Sequence, residues 1–288
     1  MRLKRVFLIL TALLGLFMTA CNKTGEPAQE QAKASEPKTR GVAPGHEDPH
    51  WSYEGETGPT NWGTLSAKWS PCSEGKSQSP INIDQTRKAD LPELRANFKP
   101  AQLKILHHAH VADAINNGHT IQVNYTEGDV LSIGDEQFQL LQYHFHGPSE
   151  HTIASKHYPM EMHLVHKSAE AKLAVVGVFI EEGQHNVAFD PIWSNLPTAK
   201  GIENHFENVT VDVNSLLPAN TTTYRYDGSL TTPPCSEGVK WIIMTTPIQL
   251  STEQIGAFQS IIKGNNRPVQ PLNGRSVVTD QVAESSMR

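Results

Sequence analysis

At 288 residues the chain is long enough for one large domain or two small ones, and for a sizeable core. Its formal charge is −6, and losing residues 1–20 with their three cations would take it to −9. An acidic chain argues against nucleic acid as a partner, because a polyanion binds where cations cluster.

Residues 1–20 read as a secretory signal. Arg2, Lys4 and Arg5 precede the apolar run "VFLILTALLGLFMTA", which is short for a bilayer span and leads into a polar stretch. The ending "FMTAC" resembles a bacterial lipobox in which Cys21 carries the lipid after cleavage. Met18 stands where such signals usually have leucine, and ordinary cleavage nearby is the alternative. The expected location is outside the cytoplasm, in the periplasm or cell envelope, with a lipid anchor in the membrane. Residues 21–45, rich in Ala, Glu, Lys and Pro without an aliphatic pattern, read as a disordered tether. Residues 46–288 show no later linker, repeat or charge block and are expected to form a single domain. With Cys21 as the anchor, Cys72 and Cys235 remain as a pair that an oxidising compartment would join in a disulfide; two free buried thiols are the alternative.

The domain is rich in strand signals. Thr120–Tyr125, Phe138–His146, Met160–Lys167, Leu173–Glu181 and Val239–Ile248 are short, β-branched or aromatic, and bounded by Gly, Pro, Asn or Asp. One helix is expected over Thr252–Ile262, with Ser251 as its cap and Ile255, Phe258, Ile261 and Ile262 apolar.

Alternate side chains share a strand face, so Gln142, His144 and His146 point one way while Tyr143 and Phe145 point the other. By the same rule Glu161, His163 and Val165 share a face opposite Met162 and Leu164. If the two strands are neighbours, three neutral imidazoles converge, an open arrangement for catalytic zinc. Gln142 and Glu161 each stand two positions before a histidine on its own face, where a polar group can hold the second ring nitrogen. HxH pairs also occur in ordinary half-exposed strands, and "HHAH" at His107–His110 is another in this chain. "HFHGPSE" further satisfies an HxH-x3-E spacing similar to the first metal motif of cupins, with Glu150 as a ligand, but Phe138 and His157 stand where that motif has glycines.

Further along, "SPINI", "NNGHT", "QYHFHG", "SEHT", "EMHLVH", "YDGSLTTPPCSEGVKW" and "NNRPVQPLNGR" occur in this order. Together they resemble the α-class carbonic anhydrases over His50 to about Arg275. The resemblance implies a mostly β (α+β) single domain on a large, mainly antiparallel twisted sheet, with a few short peripheral helices and zinc at the base of a conical cleft. It implies a lyase that converts carbon dioxide to bicarbonate through hydroxide at zinc. A cupin-like metal oxygenase and a non-catalytic zinc-binding module are the alternatives.

Carried over by motif, the resemblance makes His144, His146 and His163 the zinc ligands, with Gln142 and Glu161 behind His144 and His163. Thr231 becomes the residue that orients hydroxide, donating its own proton in a hydrogen bond to Glu150. Val165, Val175, Leu230, Thr232, Val239 and Trp241 become the wall for apolar carbon dioxide, although Val175 and Val239 read equally as core. His119 matches a proton shuttle, with Tyr53, Asn117 and Gln122 as a polar wall, and His151 and His166 match structural histidines. The implied partners are carbon dioxide and bicarbonate, with no nucleic acid; a homodimer stays open.

Overall fold

In the computed structural model the described residues are 48–97, 101–106, 118–124, 128–197 and 203–280. The signal, Cys21, the tether, the "HHAH" segment and Asn117 lie outside them. Among the described residues, 13 strands join in one sheet. Its centre runs from Gln122–Asn124 through Glu136–His146, Met160–Ser168 and Leu173–Glu182 to Glu237–Met244 and Thr223–Ser229. Antiparallel pairs predominate, but the sheet is mixed. Leu173–Glu182 runs parallel to both Glu237–Met244 and Ile248–Leu250.

The strand Glu136–His146 carries an irregularity that simple alternation does not anticipate. Leu140 pairs with His166 and Gln142 with Val165, so Leu141 is the extra residue of a bulge. Such an insertion exchanges the faces of everything beyond it. Before it, Phe138 and Leu140 are buried in the larger core; after it, Tyr143 and Phe145 take over that role. Gln142, His144 and His146 are thereby left on the opposite face.

That larger core lies on the sheet face bearing Met162, Leu164, Val176 and Val178. It is covered by the helix Thr252–Ile261 through Ile255 and Phe258. The helix starts where expected, because Ser251 accepts from the Gln254 amide and the Gln254 side chain returns the bond, completing a capping box. The expected strand Val239–Ile248 is instead two strands, Glu237–Met244 and Ile248–Leu250. Pro247 lies in the gap; it lacks an N–H for the ladder.

His166 is fully buried on the core face. Burial pushes its imidazole down to about 4, against the weaker upward pull of the Leu164 and Ala174 backbone. The folded chain therefore holds it neutral while the unfolded chain protonates near the ordinary value. Stability from this site is complete above about pH 6.5 and is lost as pH falls toward 4, about 3 kcal/mol in all. Denaturant titration of the metal-free protein should show this decline, and His166→Met should make it shallower; an unchanged slope would refute the assignment.

The Cys72–Cys235 disulfide forms, with an S–S distance of 2.06 Å across 163 residues. It belongs to a third apolar cluster with Trp51, Trp62 and Trp69. A cross-link of this kind contributes roughly 2–4 kcal/mol. Its local effect is to tie the tryptophan segment to the turn after Thr231 and Thr232, where the Cys235 amide donates to the Thr232 carbonyl at 2.8 Å.

Candidate active site

His144 stands directly opposite His163 in the register of the two central strands, and His146 opposite Glu161. One donor nitrogen from each of the three histidines lies within 4.8 Å of the others. The remaining ring nitrogens are all committed. His144 Nδ1 meets Gln142 Oε1 at 2.8 Å, His146 Nδ1 meets the Asn265 carbonyl at 2.6 Å, and His163 Nε2 meets Glu161 Oε1 at 2.9 Å. Each acceptor fixes a tautomer whose lone pair faces the common centre, at Nε2, Nε2 and Nδ1 respectively. His146 Nε2 is buried with no hydrogen-bond partner. An orphaned lone pair among three neutral nitrogen donors suits a borderline-soft divalent cation such as zinc, so the residues fit the ion the resemblance implies.

The electrostatics follow from burial and these contacts. Burial, then the neighbouring imidazoles, holds His144 well below the usual histidine range. Burial also lowers His146, outweighing the pull of Glu150. For His163 burial acts downward too, but the charge and hydrogen bond of Glu161 prevail and the net shift is upward. Burial pushes Glu161 up, yet His151 and His163 hold it well below the carboxylate range.

Glu161 is the hub of the support. Its Oε2 accepts the backbone amides of Glu150 and His151 at 2.9 and 2.8 Å, and its Oε1 also meets His151 Nδ1 at 2.8 Å. With both imidazoles bonded to its carboxylate, the grouping of His151, Glu161 and His163 is a hydrogen-bond network rather than a second metal site. His151 Nε2 meets the Tyr226 hydroxyl at 2.6 Å, and that hydroxyl meets Ser79 Oγ at 2.9 Å. Gly177 makes room for this carboxylate: a Cβ there would lie 2.6 Å from Ile243 Cδ1 and 3.0 Å from Glu161 Oε1.

A cleft of about 390 Å³ opens over the histidines. Val165, Val175, Leu230, Thr231, Thr232 and Trp241 line it, as do Tyr53, His119 and Gln122. Val239 is not in the lining; it is buried in the apolar cluster with Val175 and Trp241, so its core reading prevails. His119 stacks on Trp51 at 3.7 Å and 11° and meets Tyr53 edge-on at 5.7 Å. Glu150 Oε1 accepts the Arg267 amide at 2.8 Å, whereas Oε2 makes no hydrogen bond. That oxygen lies 3.6 Å from His146 Nε2 and 3.8 Å from His163 Nδ1, and no bond joins it to Thr231.

Several supporting residues escaped the sequence reading. Asn265 holds His146 through its carbonyl, donates from Nδ2 to the His119 and Phe145 carbonyls, and accepts the Gly147 amide. Arg267 is buried, with its guanidinium on Gln78, Ser79 and the Cys72 carbonyl. Both lie in the segment "NNRPVQPLNGR", which contributed to the resemblance without any role for its residues.

Known proteins match this chain over most of its length. The profile of the family described as eukaryotic-type carbonic anhydrase matches residues 57–281. A carbonic anhydrase of Klebsiella pneumoniae is 46% identical over 233 residues, which cover 80% of this chain and 90% of that relative. Among solved structures, the α-carbonic anhydrase of Thermovibrio ammonificans, in complex with the inhibitor sulfanilamide, aligns with a TM-score of 0.74 at 41% identity. That alignment covers 80% of this chain and 98% of the other. Dioscorin complexed with ascorbate aligns at a TM-score of 0.72 and 30% identity, covering 82% and 100%. A match of this extent sets aside the cupin alternative, and the chain belongs to the eukaryotic-type, or α, carbonic anhydrase family, whose reaction is the interconversion of carbon dioxide and bicarbonate.

Proposed function

We propose that this chain carries out the interconversion with a zinc ion held by His144, His146 and His163. The observation that supports it is the convergence of three imidazole lone pairs whose second nitrogens are all held by acceptors. Zinc among three neutral ligands supplies Lewis acidity that makes hydroxide available near pH 7, the reference case for this effect being carbonic anhydrase itself.

The chain's own residues do the rest. Val165, Val175, Leu230 and Trp241 give apolar carbon dioxide a dry place beside the histidines. Thr231 orients the attacking oxygen, and Glu150, with one carboxylate oxygen unused, is the acceptor to which the threonine hydroxyl would donate a hydrogen bond, keeping its proton. Forming bicarbonate consumes hydroxide and releases no proton; the proton lost when water restores that hydroxide for the next turnover would leave through His119, an imidazole suited to moving protons near neutrality. Tyr53 and Gln122 line the same path.

Metal analysis with stopped-flow carbon dioxide hydration tests this reading. Stoichiometric zinc and a loss of at least about tenfold in His119→Ala in dilute buffer, reversed by added imidazole, are expected; this is smaller than a positioned acid–base group usually contributes, because buffer substitutes for it. Stoichiometric iron, or a His119→Ala variant as fast as wild type, would overturn the zinc and shuttle assignments respectively.

Location outside the cytoplasm is the companion reading. The Cys72–Cys235 disulfide supports it, since cytosolic thiols are kept reduced. No helix among the described residues is long and apolar enough to cross a membrane. Anchoring is assigned to a lipid on Cys21 from the lipobox-like ending "FMTAC", and the intact mass of the mature protein checks it.

A further inference from the structure

Among the described residues that line the cleft there is no arginine or acidic side chain and one lysine, Lys167. It lies on Met160–Ser168, on the alternation face that carries Glu161, His163 and Val165. Two other lysines, Lys172 and Lys240, share the single carboxylate of Glu136. Lys167 is exposed and makes no ion pair among the described residues.

The two carbon species of the reaction differ by one full charge, and the chain as a whole carries −6, which repels the anionic one. We propose that Lys167 is a specificity-determining residue that gives this cleft its affinity for small monovalent anions, bicarbonate foremost. Carbon dioxide, being neutral, does not feel it. The inference rests on the three-histidine site being where bicarbonate is formed and consumed. Lys167 stands four residues from His163, about 13 Å along the strand. Across partly solvated cleft walls a unit charge at that range changes anion affinity about two- to threefold, and reversal of its sign changes it about fivefold.

The test measures inhibition of carbon dioxide hydration by acetate and nitrate, and KM for bicarbonate in dehydration, at low ionic strength. Lys167→Gln should raise these constants about two- to threefold and Lys167→Glu about fivefold, while Lys167→Arg restores them. KM for carbon dioxide should not move, and the differences should fade when sodium sulfate shortens the screening length. Unchanged anion constants in Lys167→Glu would overturn the proposal. So would a rise that persists at high salt or is matched by KM for carbon dioxide, since either marks a rearranged cleft. If Lys167→Glu does not fold, the glutamine and arginine variants decide the question. Retention of hydration by His144→Ala would mean that the site reading itself has failed, a result separable from any at Lys167.

Discussion

Replacing His144 with alanine is expected to reduce carbon dioxide hydration to background and to cost the protein its zinc. The side chain sits opposite His163 in register and supplies one of the three converging imidazole donors, so alanine leaves the site with two imidazoles. Loss of an outer partner alone typically costs about 10–100-fold in metal affinity, and loss of a ligand should exceed that. The fold should survive, because Tyr143 and Phe145 on the other face keep their places in the core. Zinc content, hydration rate and denaturant midpoint measured together check this. A folded, zinc-free His144→Ala protein that still hydrates carbon dioxide would refute the assignment.

Glu161→Ala should be the most damaging substitution for stability and metal binding together. The carboxylate is fully buried and serves two imidazoles and two backbone amides. Alanine leaves all four donors without an acceptor in a region that water does not reach. Orphaned buried donors cost about 1–3 kcal/mol each, and breaking a buried charged network by removing one member costs about 3–5 kcal/mol overall. His163 also loses the contact that fixes its tautomer, so zinc should bind about 10–100-fold more weakly. Chelator competition and equilibrium unfolding measure the two effects. Glu161→Gln, which keeps one acceptor oxygen, should fall between wild type and alanine. Wild-type zinc affinity in Glu161→Ala would show that the carboxylate is only structural.

How much of this could be read from the chain differs by element. Met160–Ser168 and Leu173–Glu182 were legible to within a residue at either end, because their hydrophobic density and flanking turns are local properties. Thr223–Ser229, "TYRYDGS", was missed because Asp and Gly signal a turn, whereas in the sheet the strand is held between Glu237–Met244 and Val277–Asp280. Thr86–Ala89, "TRKA", was missed because an exposed edge strand carries no buried face to leave a pattern.

For the site, local sequence alone established that Gln142, His144 and His146 share a face, and motif order identified their family. The bulge at Leu141 could not be read from spacing, because a register shift exists only against a partner strand. Tertiary structure alone decided that Asn265, 119 residues beyond His146, holds that ligand. It also decided that a Cβ at Gly177 would crowd Ile243 and Glu161, and that, among the described residues, Lys167 makes no ion pair in the cleft while Lys172 and Lys240 share Glu136. Periodicity records which way a side chain points from its own strand; which groups meet it there depends on the pairing of distant strands, which no short stretch of sequence contains.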